Sequence, residues 1–337
     1  MDKQELGRSG LKVAPWAFGG NIFGWTADQA TSFRLLDAFV DQGFNLVDTA
    51  DVYSRWLPGH VGGESETVIG AWLAQGGGRR DKVVIATKLG IEMPDGKGLS
   101  RTYMMAAVER SLTRLKTDVI DLYQSHRDDE DTPQEETLAA YGELIKAGKV
   151  RAIGASNFTA PRLAEALKLA KDKGLPRYET LQPWYNLYDQ DTFPAELQAL
   201  CKSEGLGVIP YFGLASGFLT GKYRSTEDLK GSPRAYRAGD MLNPRGLRIL
   251  AALDSVGART GGTPAQISLA WLRAKGCIPI ASATSLEQLN ELAKSAALTL
   301  DAEAVAALDK ASEIRSGEEP VRAPPPAPPP RTTQAAE

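Results

Sequence analysis

The chain has 337 residues, 42% of them hydrophobic, and a formal net charge of −3. That length suits one large α/β domain, and the balanced charge leaves no basic footprint for nucleic acid or an anionic membrane surface. Its two cysteines (Cys201 and Cys277) and two histidines form no CxxC or Cys/His cluster, which argues against a disulfide scaffold and a structural zinc site.

Taken in chain order, Gln4–Val13, centred on Arg8-Ser9-Gly10, reads as a β-hairpin ahead of the main fold. Short apolar runs then recur at Ala14–Phe18, Asn45–Thr49, Val83–Thr87, Val119–Gln124, Val150–Ala155, Tyr178–Gln182, Gly207–Tyr211 and Cys277–Ala281. Helical patterns separate them. Val108, Leu112 and Leu115 share one face, as do Leu138, Tyr141 and Ile145. Thr132-Pro133-Gln134-Glu135, Thr263-Pro264-Ala265-Gln266 and Ser285-Leu286-Glu287-Gln288 each read as a capping box. Eight strand–helix units predict parallel strands closed into a (β/α)8 TIM barrel, with the hairpin in front and an extra helix at the C-terminal end. The rival is an open doubly wound sheet, which normally carries G-x-G-x-x-G after its first strand. Here that position reads Gly19-Gly20-Asn21-Ile22-Phe23-Gly24, so the barrel is preferred. Phe212–Pro244 is a long Gly/Ser-rich connection after the seventh strand, a length usually reserved for function. Residues 1–316 are expected to form the barrel domain, and 317–337, with prolines from Pro320 to Pro330, a disordered tail. No leader-like pattern opens the sequence and no run approaches membrane-span length, so a reducing cytoplasm is the expected compartment.

In a TIM barrel the C-terminal strand ends face the active site. Those ends carry Asp48 and, just beyond it, Tyr53; then Lys88; then His126 and Arg127. A carbonyl reduced by hydride becomes an alkoxide and needs a proton. Tyr53 holds a proton at neutral pH but is a weak acid; an adjacent Lys88 ammonium is expected to lower its pKa, with Asp48 keeping Lys88 charged. His126 is placed to donate a hydrogen bond to the carbonyl oxygen. Each residue alone also has a structural reading: Asp48 as a cap or core ion pair, Lys88 as a buried lysine or a Schiff-base amine, Tyr53 as packing, His126 as a rim histidine. Their joint occurrence on three successive strand ends favours the chemical reading.

The run Phe44–Ser54, with Asp48-Thr49-Ala50-Asp51-Val52-Tyr53 inside it, resembles the signature of the aldo-keto reductase family, including its channel β-subunit-like branch. Gly63-Glu64-Ser65-Glu66, Ile85-Ala86-Thr87-Lys88 and Ile120–His126 are similar to the family's next three motifs, and the likeness spans about Leu6 to Ile314. The resemblance implies an NADP(H)-dependent oxidoreductase, with NAD(H) the alternative, and Asp48, Tyr53, Lys88 and His126 as its catalytic tetrad. It implies that Ser156, Asn157 and Gln182 hold the nicotinamide carboxamide and that Tyr211 stacks on the ring. Gly20, Asn21 and Asp48 join this cofactor set. The loop Gly213–Lys222, with Leu214, Ser216, Gly217, Leu219 and Lys222, resembles the family's pyrophosphate loop. Ser282, Thr284 and Gln288 fall at the start of the last barrel helix, where free N–H groups suit the adenosine phosphate. Three positions depart from the pattern: hydroxyls at Ser282 and Thr284 where a basic residue is common, Leu292 in place of asparagine, and Phe212 in place of serine.

Trp25, Trp56 and Trp184 fall in segments expected around the rim, and His60 lies in an insertion expected near the mouth. Trp25, Tyr53, Trp56, His126 and Arg127 are the expected substrate contacts, for an aldehyde, ketone or sugar-like carbonyl. For Arg127 a structural ion pair, with Asp128 as the candidate partner, competes with binding of an anionic or sugar-like group. A cofactor-binding regulatory subunit of the same fold and a Schiff-base lyase using Lys88 are the functional alternatives. Oligomeric state is left open.

Overall fold

The computed structural model describes residues 1–231 and 235–318. Two short strands, β1 (Gln4–Glu5) and β2 (Lys12–Val13), pair antiparallel as expected for the N-terminal hairpin. Eight parallel strands follow: β3 (Ala17–Gly19), β4 (Leu46–Asp48), β5 (Val84–Leu89), β6 (Ile120–Ser125), β7 (Val150–Ser156), β8 (Thr180–Gln182), β9 (Gly207–Val208) and β10 (Ile280–Ala281). Each pairs with the next in sequence, and β10 pairs with β3. The ring closes between β9 and the start of the last run: Val208 bridges Cys277, and the amides of Ile278 and Ile280 donate to the carbonyls of Val208 and Pro210 at 2.9 and 3.0 Å. The fold is the (β/α)8 barrel.

Five strands are shorter than the apolar runs that announce them, and in three of these Pro15, Pro210 or Pro279 lacks the N–H that a ladder needs.

The core has two layers. Inside the barrel, Ala17, Leu46, Ala86, Leu122, Ala152, Ile209 and Ile278 pack with Leu6, Leu11 and Val13 of the hairpin, which plugs the N-terminal end. Gly7 permits this docking. Its φ is +61°, and a Cβ there would lie 2.3 Å from the carbonyl oxygen of Glu179. The larger layer lies between strands and helices and includes Val108, Leu112, Leu115, Leu138 and Tyr141, with Ile145 partly buried at its edge. Gly70, on the helix Glu64–Leu73, lets the helix Arg101–Leu115 come close enough that a Cβ would sit 2.0 Å from the Arg114 carbonyl oxygen.

The caps follow the sequence unevenly. Thr263 and Gln266 form a complete capping box. Ser285 caps Gln288 N–H, but the Gln288 side chain accepts from Thr284 instead of closing the box. The Thr132 box is a correction: the helix Gln134–Lys146 has Pro133 at its N-cap with no side-chain cap, because the Thr132 hydroxyl donates to Asp129 at 2.7 Å.

The connection after β9 is more ordered than a long loop. It holds 3-10 turns at Ala215–Thr220 and Glu227–Leu229 and a short helix, Ala235–Asp240. Arg224 fastens it to Asp254 by two hydrogen bonds of 2.7 and 2.8 Å. The C-terminal helix Ala302–Ser312 packs against the helix Pro244–Thr260. Beyond it, Glu318 ion-pairs with Arg248 at 2.9 Å, so the chain is still tied to the barrel two residues past the expected boundary at 316. The proline run from Pro320 to Pro330 lies outside the described residues.

Candidate active site

At the C-terminal end of the barrel a single cleft of about 1500 Å³ is lined by residues from β3, β4 and β6–β10 and the segments after them. That exceeds an ordinary drug-sized pocket and suits a ligand with two large parts.

At its floor, Lys88 is fully buried. Its Nζ donates to Asp48 Oδ2 at 2.7 Å, to the Thr49 carbonyl at 2.7 Å and to the Tyr53 hydroxyl at 2.9 Å. Three protons meet three acceptors, the valence of an ammonium. Asp48 is held on its other side by Gln182 Nε2 at 2.8 Å and Gln124 Nε2 at 3.3 Å. Tyr53 and His126 meet edge to face with centroids 6.1 Å apart, and both line the cleft. The four residues that the sequence set on three successive strand ends are thus assembled at one place.

Their electrostatics differ from expectation in one respect. Burial first, then the Asp48 carboxylate, holds the Tyr53 phenol well above its ordinary range, so the net lowering expected from Lys88 does not occur in the unliganded site. The phenol is fully protonated. Burial pulls the Lys88 ammonium down, against the opposing charges of Asp48, Asp51 and Glu66. Burial, then Lys88 and Arg127, pushes His126 well below the usual imidazole range, so it is neutral.

The wall beside this floor is built from Ser156, Asn157, Gln182 and Tyr211. Ser156 donates to the Gln182 carbonyl at 2.8 Å. Asn157 donates to the carbonyl of His126 and to Ser156 Oγ, both at 3.0 Å, and accepts from the Tyr211 hydroxyl at 2.7 Å. Asn157 adopts φ +57°, which asparagine tolerates; Phe212 adopts the same φ, which is a strained choice for a bulky side chain. Asn186 pins Phe212 by donating to its carbonyl at 3.0 Å. Buried Asp189 takes hydrogen bonds from Trp184 and Asn186 at 2.8 Å each and from Arg237 at 3.3 Å. The Arg237 guanidinium lies 4.2 Å from the Trp184 ring centroid. None of Gln124, Asn186, Asp189 and Arg237 stands out in the sequence. For the first three the available signal was a polar residue inside or just after an apolar strand, where a structural role is the commoner explanation; Arg237, in the helix Ala235–Asp240, had no such signal.

Further along, Asn21, Leu214, Ser216, Gly217, Lys222, Ser282, Thr284 and Gln288 line the cleft, with Glu291 and Leu292. Ser216 and Gly217 are left-handed (φ +57° and +93°). The Ser282 hydroxyl is engaged with Gly19 O at 2.7 Å and Asn21 Oδ1 at 2.8 Å, and Gln288 Oε1 takes the Thr284 amide at 2.9 Å.

Three expected contacts lie off the cleft. Gly20 packs against the Asp48 backbone, where a Cβ would be 2.9 Å from its carbonyl oxygen. Leu219 is fully buried in the core. Trp25 does not line the cleft but meets cleft-lining Trp56 edge to face, centroids 5.6 Å apart. His60, too, is away from the lining, 3.7 Å from Glu64. The pairing of Arg127 with Asp128 is also corrected, because Asp128 is taken by Arg162 at 2.6 and 3.1 Å.

The model of the aldo/keto reductase family matches residues 15–313. The chain belongs to the aldo/keto reductase family. It is 35% identical over 329 residues to the uncharacterized oxidoreductase YrpG of Bacillus subtilis, covering 95% of this chain and 98% of that one. It is 34% identical over 279 residues to a probable voltage-gated potassium channel subunit beta of Oryza sativa, with 80% and 83% covered. A putative aryl-alcohol dehydrogenase of Saccharomyces cerevisiae is 31% identical over 335 residues, with 90% and 95% covered. Membership makes the chain an oxidoreductase of a family that generally binds NAD(P)H. No helix among the described residues is long and apolar enough to cross a membrane.

Proposed function

We propose that this aldo/keto reductase family member transfers hydride reversibly between NADP(H) and the carbonyl or alcohol carbon of an aldehyde, ketone or sugar-like substrate, with Tyr53 as proton donor in reduction. The observation that carries the proposal is the Tyr53 hydroxyl at the cleft floor, 2.9 Å from a buried ammonium that is itself fixed by Asp48.

The cleft fits the dinucleotide by its own chemistry. Lys222 lines it beside Gly217 and makes no ion pair among the described residues, so a cation is available for a pyrophosphate. Gln182 Oε1 accepts no hydrogen bond among the described residues, which leaves an acceptor for a carboxamide N–H. When bound, the reduced nicotinamide would supply one hydride ion, which carries both electrons of the reduction and one of its two hydrogens. Tyr53 then gives its proton to the carbonyl oxygen, so that carbonyl becomes alcohol. Lys88 stabilises the phenolate left behind, and solvent restores the proton. Neutral His126 orients the carbonyl oxygen, and the aromatic wall of Trp56, Trp184 and Phe212 excludes water from the reacting face. NADP(H) is the proposed cofactor and NAD(H) the alternative, since no basic side chain lies among Ser282–Gln288.

The channel β-subunit names among the relatives support a second reading, in which the same site binds cofactor chiefly for regulation. Turnover separates the two. A Schiff-base role for Lys88 is disfavoured, because its ammonium is saturated by three acceptors and has no lone pair to offer. Tyr53→Phe keeps the ring and removes the proton. It should bind NADPH as the parent does and lose about 10²- to 10⁴-fold in kcat for aldehyde reduction; turnover within a factor of about 3 of the parent would remove Tyr53 from the role.

A further inference from the structure

Only two lysine or arginine side chains line the cleft among the described residues, Lys222 and Arg127. Lys222 sits with the loop that the proposed cofactor's pyrophosphate would use. Arg127 sits elsewhere, directly after His126 and therefore beside the carbonyl site. It makes no hydrogen bond or ion pair among the described residues, and its neighbours explain why.

The two nearest carboxylates in the chain are spent. Asp128 receives the Arg162 fork and the Asp129 amide. Asp129 receives the Leu99 and Asp131 amides and the Thr132 hydroxyl. Arg127 is exposed at the cleft. Yet it is close enough to His126 to help keep that imidazole neutral. A guanidinium is a planar five-donor fork matched to carboxylate, sulfate or phosphate. In a cleft with low-dielectric walls such a charge also gathers anions, and here the walls are Trp56, Ile91, Trp184 and Phe212. The other charges on the lining are acidic. Glu291 is engaged by the Thr263 hydroxyl at 2.9 Å. Asp191 and Glu196 belong to the segment after β8, whereas Arg127 follows β6.

We infer that the substrate is a carbonyl compound bearing an anionic group, bound by Arg127 within about one aryl ring or a short aliphatic chain of the carbonyl. The inference rests on the hydride-transfer reading above and narrows its substrate class. Arg127 touches the anion and not the reacting atoms, so its contribution is made equally in ground and transition states and is felt in KM more than in kcat.

The test compares the full chain with Arg127→Met and Arg127→Lys on para-carboxybenzaldehyde, para-nitrobenzaldehyde and para-trimethylammoniobenzaldehyde, with NADPH. In parallel, quenching of the cleft tryptophans reports equilibrium binding of para-hydroxymethylbenzoate and of benzyl alcohol. The wild type should prefer the anion in both assays. Arg127→Met should raise KM for the carboxylate about 10- to 100-fold. Its KM for the neutral aldehyde should rise far less than its KM for the carboxylate, and Arg127→Lys should recover part of the loss. An anion preference in binding without turnover would leave this inference standing and sink hydride transfer. Turnover of the neutral or cationic aldehyde equal to or better than the anionic one, untouched by Arg127→Met, would overturn the inference and leave hydride transfer intact.

Discussion

Single residues divide into those whose role follows from position and those whose role follows from surroundings. Asp48, Lys88 and His126 were legible because a parallel strand must deliver its C-terminal residue to one rim. The place of Tyr53 beside Lys88 was legible, but the direction of its acidity was not. A phenol beside an ammonium reads as acidified, whereas burial and Asp48 raise it in the folded chain. Arg127 shows the same limit: Asp128 adjoins it in sequence, and only the tertiary fold gives Asp128 to Arg162. The directions at Tyr53 and His126 fix a pH dependence. Reduction needs Tyr53 protonated, and a raised pKa keeps it so well into alkaline solution. It also needs His126 neutral, and a lowered pKa keeps it so into mildly acidic solution. We therefore expect kcat for reduction to stay flat from about pH 6 to about pH 9, measured with saturating cofactor. A loss centred near the ordinary histidine value would contradict the neutral imidazole.

Elements were legible where local chemistry decides them and illegible where a neighbour does. The Thr263 box formed as written, since both partners lie within one turn. The Thr132 box did not, because Asp129 offered its hydroxyl a better acceptor. Strand lengths were overestimated where proline removes a ladder donor. Two glycines show how packing sets the sign of one substitution. Gly70→Ala places a methyl 2.0 Å from the Arg114 carbonyl oxygen, a backbone atom that cannot step aside. It should cost about 1–3 kcal/mol or more. Gly142, inside the helix Gln134–Lys146, would meet only Pro176 Cδ at 3.4 Å. Gly142→Ala should therefore stabilise by about 0.5–1 kcal/mol. Thermal unfolding of both variants checks the pair, and a stable Gly70→Ala would mean that the two helices stand further apart than described.

On the scale of the whole molecule, the barrel could be read from eight recurring apolar runs, and its closure and plugged N-terminal end are what place one open cleft at the opposite rim. The loop after β9 could be read from the sequence as a rim segment, but not the Asn186–Asp189–Arg237 cluster that holds Trp184 and strained Phe212 in place. That support joins the segments after β8 and β9, so nothing local announces it. The central claim is that this cleft binds a nicotinamide dinucleotide and uses Tyr53 to complete its hydride transfer. The most direct measurement titrates wild-type protein and Tyr53→Phe with NADPH and NADH by tryptophan fluorescence, then adds aldehyde and follows loss of dihydronicotinamide absorbance. The account predicts that both proteins bind, NADPH more tightly than NADH, and that only the wild type consumes the cofactor at an appreciable rate. Absence of binding by the wild type, or equal consumption by the two proteins, would contradict it.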